Sequence, residues 1–486
     1  MAYRQGFNEM KDFWFLPGSP KIDGSGWKVW YSLNGNDDFA PQTPHVFQRG
    51  KPVDVLLEGE CLPVIENLNR RIYIGTLSLP TADPGSEYEV YIPETDQSLR
   101  LVAQHKTIPD EGLSFILASC YWNNDDKEGY YARAVATVMK NEKPRPAFKM
   151  LIGDQVYLDY PIPIFTSTEK CIPERYLEYW GNSAYRDALG HCPTFYTCDD
   201  HEFWNNFPEF QSQLPFTYTK NSRKHFEEVA LKCLDQFQSR LTPDGQTWYT
   251  FEISPASFFV ADTRSKRSYY DDPDKCFIDD EQWLALDEWQ QNLKGPGILV
   301  LGQPLYQQDG SWKDYSLSNF EEDYGRLMKL IEDSFNGNNV EGKSHKILIL
   351  SGDIHNGRHA VAYMANGNEV HEFIASPASR IGPFISEPET DTLPTKISGY
   401  YEDTNYKWSN ISVVTDDSLE LYNNIAVIRL FDAGNGSVRV EFRTYRVRPF
   451  RRPTWKIFAR EGKIDFSDYG SLCSYDSSNF RKIILN

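Results

Sequence analysis

The stretch FILASCYWNNDDKEGYYARAVATVMKNEKPRPAFKMLIGD, residues 115–154, decides the fold class. FILAS (115–119) is a compact apolar strand and EGYYARAVATVMK (128–140) has helical spacing. FKMLIGD (148–154) is a second apolar strand that stops abruptly at Gly153-Asp154. Strands apolar along their whole length belong to buried sheets, and the order strand, helix, strand is that of a βαβ unit.

Further along, KHFEEVALKCLDQFQSR (224–240) reads as an amphipathic helix and ISPASFFVADTR (253–264) as a strand. DDEQWLALDEWQQNL (279–293) is a helix whose acidic first turn suits the helix dipole. ILVLGQPLY (298–306) and HKILILSGDIH (345–355) are again buried strands ending in polar residues. VHEFIASPAS, AVIRLF and SVRVEFRTYRV extend the sheets. The stretch 385–422, rich in Pro, Thr, Asp, Tyr and Ser, is expected to be a long loop or insertion.

Upstream, residues 22 to 108 hold short strands (KVWYSL, HVFQRG, VDVLLEG, RRIYIGTLSL, EYEVYIP, QSLRLVAQH) separated by Gly, Pro, Asp and Asn. That spacing predicts an all-β sandwich over 1–110, joined through PDEG (109–112) to an α/β domain over 111–486.

Bulk properties exclude several classes. The formal charge of −19 repels nucleic-acid phosphates and anionic membranes, so neither is an expected partner. The basic run RTYRVRPFRRPTWK (443–456) is expected to be a solvated strand edge and turn, the alternative being a local attraction for an anionic substrate. No apolar run approaches the ~20 residues of a membrane span. The N-terminal stretch MAYRQGFNEMKDFWFLPGSP lacks a basic region followed by a long apolar run, so a cytoplasmic location is expected. Eight cysteines in 486 residues do not make a disulfide scaffold. There is no G-x-S-x-G elbow for a serine hydrolase and no HxHxDH run for a zinc lactamase-type enzyme.

Chemistry gathers at strand ends, where open α/β sheets place their ligand sites. FILAS leads to Cys120, FKMLIG to Asp154 with Tyr157 beyond it, and HCPTFYT to Cys198, Asp199, Asp200, His201 and Glu202. FFVADT leads to Arg264, and KILILSG to Asp353 and His355. Each alone has a plainer reading: a buried thiol, a turn, a cap. Together they indicate a metal site, because clustered carboxylates repel unless a cation sits between them. Cys and Tyr bind as thiolate and phenolate, which implies a highly charged ion; carboxylates suit a harder divalent one. Asp199 and Glu202 are expected to orient their neighbours, and Cys198 to pack.

ASC (118–120), GDQVYLD (153–159), DDHEFWNN (199–206), ADTR (261–264), DDEQWLALDEWQQNL and SGDIH (351–355) together resemble the PhoD-like alkaline phosphatases, members of the calcineurin-like metallophosphoesterases. The resemblance runs from about residue 113 to 360. It implies a metallophosphoesterase-type β-sandwich flanked by helices, behind an N-terminal sandwich. It implies hydrolysis of small phosphomonoesters or phosphodiesters by a metal-bridging hydroxide. Carried over, Asp154 bridges two ions; Cys120, Tyr157 and His355 complete a ferric site; Asp200 and Asp353 hold the second ion, calcium or alternatively manganese, magnesium or zinc. His201 faces the scissile phosphate, Arg264 binds phosphate, and Tyr130 and Asn205 line the pocket. The competing expectation is a non-catalytic β-sandwich binding protein on a degenerate phosphatase scaffold.

Overall fold

The computed structural model describes residues 12–35, 37–63, 69–162, 167–307, 315–355, 357–363, 368–379, 410–414, 423–447 and 481–485. The N-terminal strands are β1 (Phe13–Pro20), β2 (Gly26–Asn34), β3 (His45–Gln48), β4 (Lys51–Val53), β5 (Leu56–Cys61), β6 (Arg70–Ser78), β7 (Glu87–Ile92) and β8 (Gln97–Val102). They form two antiparallel sheets, ordered β1-β2-β6-β5 and β4-β3-β7-β8. Trp27, Val29, Tyr31, Val46, Tyr88, Val90 and Leu101 fill the space between them.

Two details differ from the sequence reading. The expected single strand VDVLLEG divides between β4 and β5, which lie in different sheets. Strand β1 was not anticipated, because Pro17, Gly18 and Pro20 weaken a ladder. It exists as an edge strand, where proline is tolerated, and its register shifts between Pro17 and Pro20.

The rest of the chain runs β9 (Leu113–Ala118), α1 (Tyr130–Asn141), β10 (Phe148–Ile152), α2 (Thr168–Gly181), α3 (Ser183–Gly190), β11 (Thr194–Thr197), α4 (Lys220–Phe237), β12 (Tyr249–Ile253) and β13 (Ala256–Val260). It continues α5 (Asp280–Gln291), β14 (Gly297–Val300), α6 (Glu321–Phe335), β15 (Ile347–Ser351), β16 (Arg358–Tyr363), β17 (Glu369–Ile374), β18 (Asn410–Val414), β19 (Asn424–Gly434), β20 (Ser437–Arg446) and β21 (Arg481–Leu485). The first sheet has the order β11-β10-β9-β19-β20-β21 and the second β12-β13-β14-β15-β17-β16-β18. Strands β9, β10 and β11 are parallel, as are β13, β14, β15 and β17.

Alternation along each strand decides the layers. Phe115, Met150 and Phe195 of the first sheet meet Phe258, Val300, Leu350 and Phe373 of the second in one core. Their neighbours point the other way. Leu151 and Tyr196 pack on the helix layer with Val135, Tyr176 and Phe237. Phe259, Leu299 and Ile349 pack on Trp283, Leu286, Leu327 and Ile331 of α5 and α6. The result is a helix–sheet–sheet–helix stack, a mixed α/β fold behind an all-β sandwich.

The N-terminal sandwich is fastened to the helix layer. Trp14, Leu16, Trp30, Ile72 and Ile74 share the core of α1–α4. The Trp30 indole donates to Gln236 O at 3.0 Å, and Arg186 of α3 stacks on Trp14, 4.8 Å from the ring centre. Backbone bonds tie the connector to the second sheet, from Ser254 N to Lys106 O at 2.9 Å and from Ile108 N to Ser254 O at 3.0 Å.

Within 385–422, Asn410–Val414 forms the edge strand β18 against β16, and the remainder lies outside the described residues. Of the basic run, Arg443 is in β20 and donates to Glu142, which also holds Arg429, so this end is an ion-paired network. Residues 448–456 lie outside the described residues. No helix among the described residues is long and apolar enough to cross a membrane.

Candidate metal centre

The parallel strands of both sheets end along one edge, and there the chain bends hard. Cys120, Asp154, Asn206, Asp353 and His355 all have positive φ, between 54° and 67°. That left-handed backbone costs a residue with a side chain on the order of 1 kcal/mol or more. Five such residues at one edge mark a place where side-chain aim outweighs backbone comfort. Two glycines permit the close approach. A Cβ on Gly153 (φ 87°) would lie 2.5 Å from Asp199 Cβ, pushing β10 from β11. A Cβ on Gly352 would lie 2.6 Å from Ser119 Oγ, pushing the second sheet's loop from the first.

The edge therefore brings three donor groups together, each with ligand atoms within 4.8 Å of one another. They are Cys120, Asp154 and His355; Asp154, Asp200 and His201; and Asp199, Asp200 and Asp353. Asp154 belongs to two of them and Asp200 to two. Tyr157 joins through its hydroxyl, which donates to Asp154 Oδ2 at 3.3 Å. Cys120 Sγ lies 3.4 Å from the same oxygen and 3.4 Å from Asp353 O.

Glu202 holds this arrangement from below. It accepts from Asp154 N (2.8 Å), Gln155 N (2.6 Å), Asp199 N (2.9 Å) and Gln238 Nε2 (3.2 Å). With Asp199 it forms a capping box on the short turn Asp200–Glu202. Burial pushes Glu202 up to about 7 against these stabilising donors. His201 Nδ1 lies 2.8 Å from Asp159 Oδ1, and Asp159 Oδ2 accepts from Asn205 N at 3.0 Å. The ring of Tyr157 tilts over His201, with centroids 4.1 Å apart. Ser376 spans the two sheets: its hydroxyl donates to Cys120 Sγ (3.1 Å) and accepts from His355 N (3.2 Å).

The electrostatics are those of an anionic pocket. Burial raises Asp154 well above the usual carboxylate range; Asp200, Asp199 and Glu202 add to this and His201 opposes it. Burial also raises Asp199, more than Arg264 lowers it. At Asp200 the burial penalty is outweighed by His201, Arg264 and the Asn206 N–H, so its carboxyl is held low. Burial disfavours a charged His201, but Asp159, Asp200 and Asp154 prevail and push it up to about 10. Two carboxylate oxygens, Asp199 Oδ2 and Asp200 Oδ1, are buried with no hydrogen-bond partner among the described residues. Buried anionic oxygens without donors are costly unless a cation meets them, and the thiol, phenol, imidazole and carboxylates here fit metal ions.

Arg264, expected on phosphate, is fully buried behind the carboxylates: its Nε donates to Asp199 Oδ1 at 2.7 Å and one Nη to Phe207 O at 3.2 Å. Asn205 is half-buried beside Asp159. Tyr130 is buried at the start of α1, where its N–H bonds Asp126. Cys198 packs in the apolar core, with its thiol 3.5 Å from Asp262 Oδ1. The sequence reading passed over Asp159, Gln303 and Ser376. Gln303 and Ser376 stand just past β14 and β17, so the same strand-end rule could have found them. Asp159 lies inside GDQVYLD, and nothing in the pattern singles it out from its neighbours.

Comparison with solved structures gives a likeness to PhoD: TM-score 0.61 over 92% of this chain and 89% of that one, at 15% identity. The fold is PhoD-like. A second solved structure, GAP50, described as the anchor in the inner membrane complex of Plasmodium, aligns over 70% of this chain and 90% of that one. Its identity is 14% and its TM-score 0.34, too low to carry an argument. No protein-family model and no curated protein sequence matches the chain. The likeness is one of fold: a β-rich N-terminal part followed by a mixed α/β part.

Proposed function

We propose that the protein is a metal-dependent phosphoesterase acting on small phosphomonoesters or phosphodiesters. The observation that carries this reading is the convergence of three donor groups, linked through Asp154 and Asp200, at the carboxyl edge of two facing sheets. The PhoD-like fold supports it.

Cys120, Asp154, Tyr157 and His355 would hold one ion, for which a ferric ion suits the thiolate and phenolate. Asp154, Asp200 and Asp353 would hold a divalent ion, calcium or alternatively manganese, magnesium or zinc. Bound there, such ions supply positive charge to phosphate oxygens and acidify water. The protein's own work is positional. Glu202 fixes the loops of Asp154 and Asp199 through three backbone N–H groups. His201, oriented by Asp159, presents its other nitrogen as a proton donor for the leaving oxygen. Arg264 adds positive charge beneath the site through Asp199. Asn205 and Tyr130 line the pocket.

Metal analysis combined with an aryl-phosphate assay tests the reading. Bound metal, turnover abolished by a chelator and turnover restored by metal are expected. A protein with no bound metal and no metal-dependent turnover overturns it. A ferric phenolate also gives visible absorption, which Tyr157→Phe should remove.

A further inference from the structure

Asp353 is the donor that the second sheet contributes to the carboxylate group, and its carboxylate is not left to orient itself. The Gln303 side-chain amide, fully buried just past β14, donates through Nε2 to Asp353 Oδ2 at 3.2 Å. The other end of the amide is fixed independently. Gln303 Oε1 accepts from Arg267 Nη2 at 2.7 Å, and a guanidinium only donates. The amide can therefore point in one sense alone, with its N–H toward Asp353.

Arg267 is itself anchored. Its Nε donates to Thr263 O at 3.1 Å, its Nη1 to Tyr315 O at 3.2 Å, and its guanidinium lies over the Phe320 ring, 5.1 Å from the centroid. Arg267 is also nearly fully buried. A chain of fixed geometry thus runs from Thr263, past β13, through Arg267 and Gln303 to Asp353, past β15. Three neighbouring strand ends are tied into one frame.

We infer that Gln303 is a positioning residue for the Asp353 carboxylate. Its bond to Oδ2 orients the carboxylate that shares a donor group with Asp199 and Asp200. Arg267 locks the sense of the Gln303 amide. The inference rests on the phosphoesterase reading, since the frame matters to function only if Asp353 holds a cation. Partners that orient a ligating carboxylate typically govern metal affinity by about 10–100-fold.

The test compares the wild-type chain with Gln303→Met, which keeps the length and loses both polar ends. Gln303→Asn, which keeps the amide one methylene short, is the second variant should the first fail to fold. Each is stripped of metal and then titrated with calcium and with manganese, read by thermal unfolding and by bound-metal stoichiometry. A ligand that binds only the folded state raises the unfolding temperature, by more the tighter it binds at a given concentration. Positioning predicts that the metal-induced rise shrinks in the variants, and that affinity for one ion falls about 10–100-fold with the bound-metal stoichiometry falling at sub-saturating metal. A purely structural role lowers the metal-free and metal-bound unfolding temperatures equally and leaves the metal-induced rise intact; that result overturns the inference. A wild-type chain that binds no metal overturns the phosphoesterase reading itself, and with it this one.

Discussion

The two halves of the carboxylate cluster are built differently. On the first sheet, Cys120, Asp154, Tyr157, Asp200 and His201 are buried and braced by Glu202 and Asp159. On the second, Asp353 and His355 are half-buried, each in a strained left-handed turn, and are steadied by Gln303 and Ser376. The difference teaches where order comes from. The first half is set by charge-assisted hydrogen bonds to backbone N–H groups, which hold loops rigidly. The second half faces solvent, and its geometry depends on a few side-chain contacts and on how closely the sheets approach at Gly352.

The strongest way to break the comparison is to remove the group both halves share. Asp154→Asn should abolish turnover and deplete both ions, as metal analysis of the purified variant would reveal. Retention of either ion at wild-type affinity would show that the halves do not meet at Asp154.

Next in size is His201, which belongs to the buried half yet is assigned proton transfer rather than metal holding. His201→Ala should lower kcat by roughly 10²–10⁴-fold while metal content stays near wild type. Equal losses of metal and rate would make it a ligand instead.

Stability separates the halves further. Glu202→Gln sets an amide NH2 against backbone donors that now meet a carboxylate oxygen. Each donor left unmet costs about 1–3 kcal/mol. Urea unfolding should show that loss, whereas Asp353→Asn, on the open side, should change stability far less in the metal-free protein and remove one ion selectively.

The closure between the sheets gives a smaller effect. Gly352→Ala places a methyl against Ser119. Overpacking of this kind costs about 1–3 kcal/mol, and relief by separating the sheets should weaken metal binding more than it weakens the fold. A variant with unchanged metal affinity would show that the edge tolerates the extra width.

The smallest effect concerns a buried cation behind the first sheet. Lys149 donates to Leu189 O and Cys192 O, both at 2.6 Å, and burial lowers it to about 8. Its protonated form is disfavoured on folding, so the penalty is full below pH 8 and fades as pH rises toward the free-lysine value. Relative to Lys149→Met, the wild type should therefore gain stability across that range, by at most about 3 kcal/mol, read from unfolding midpoints at matched pH.

Sequence alone carried a good share of this. Apolar runs such as FILAS, FKMLIGD and KILILSGD read as buried strands, because they are short, largely apolar along their whole length and bounded by turn residues. The rule that ligand groups follow strand ends then pointed to Cys120, Asp154, Asp200 and Asp353. The edge strand β1 escaped because local proline penalties say nothing of sheet position, and α2 because Pro173 interrupts its helical pattern.

Tertiary structure decided the rest. That Asp353 meets Asp199 and Asp200, more than 150 residues earlier in the chain, follows from how closely two sheets pack, and a single missing Cβ at Gly352 sets that distance. The same packing turned Arg264 inward onto Asp199, gave His201 its partner Asp159, and set Gln303 behind Asp353. Burial and hydrogen bonding are properties of three-dimensional neighbours. CDDHEFWNNF (198–207) therefore names the chemistry available at one corner, and the fold assigns each residue its direction.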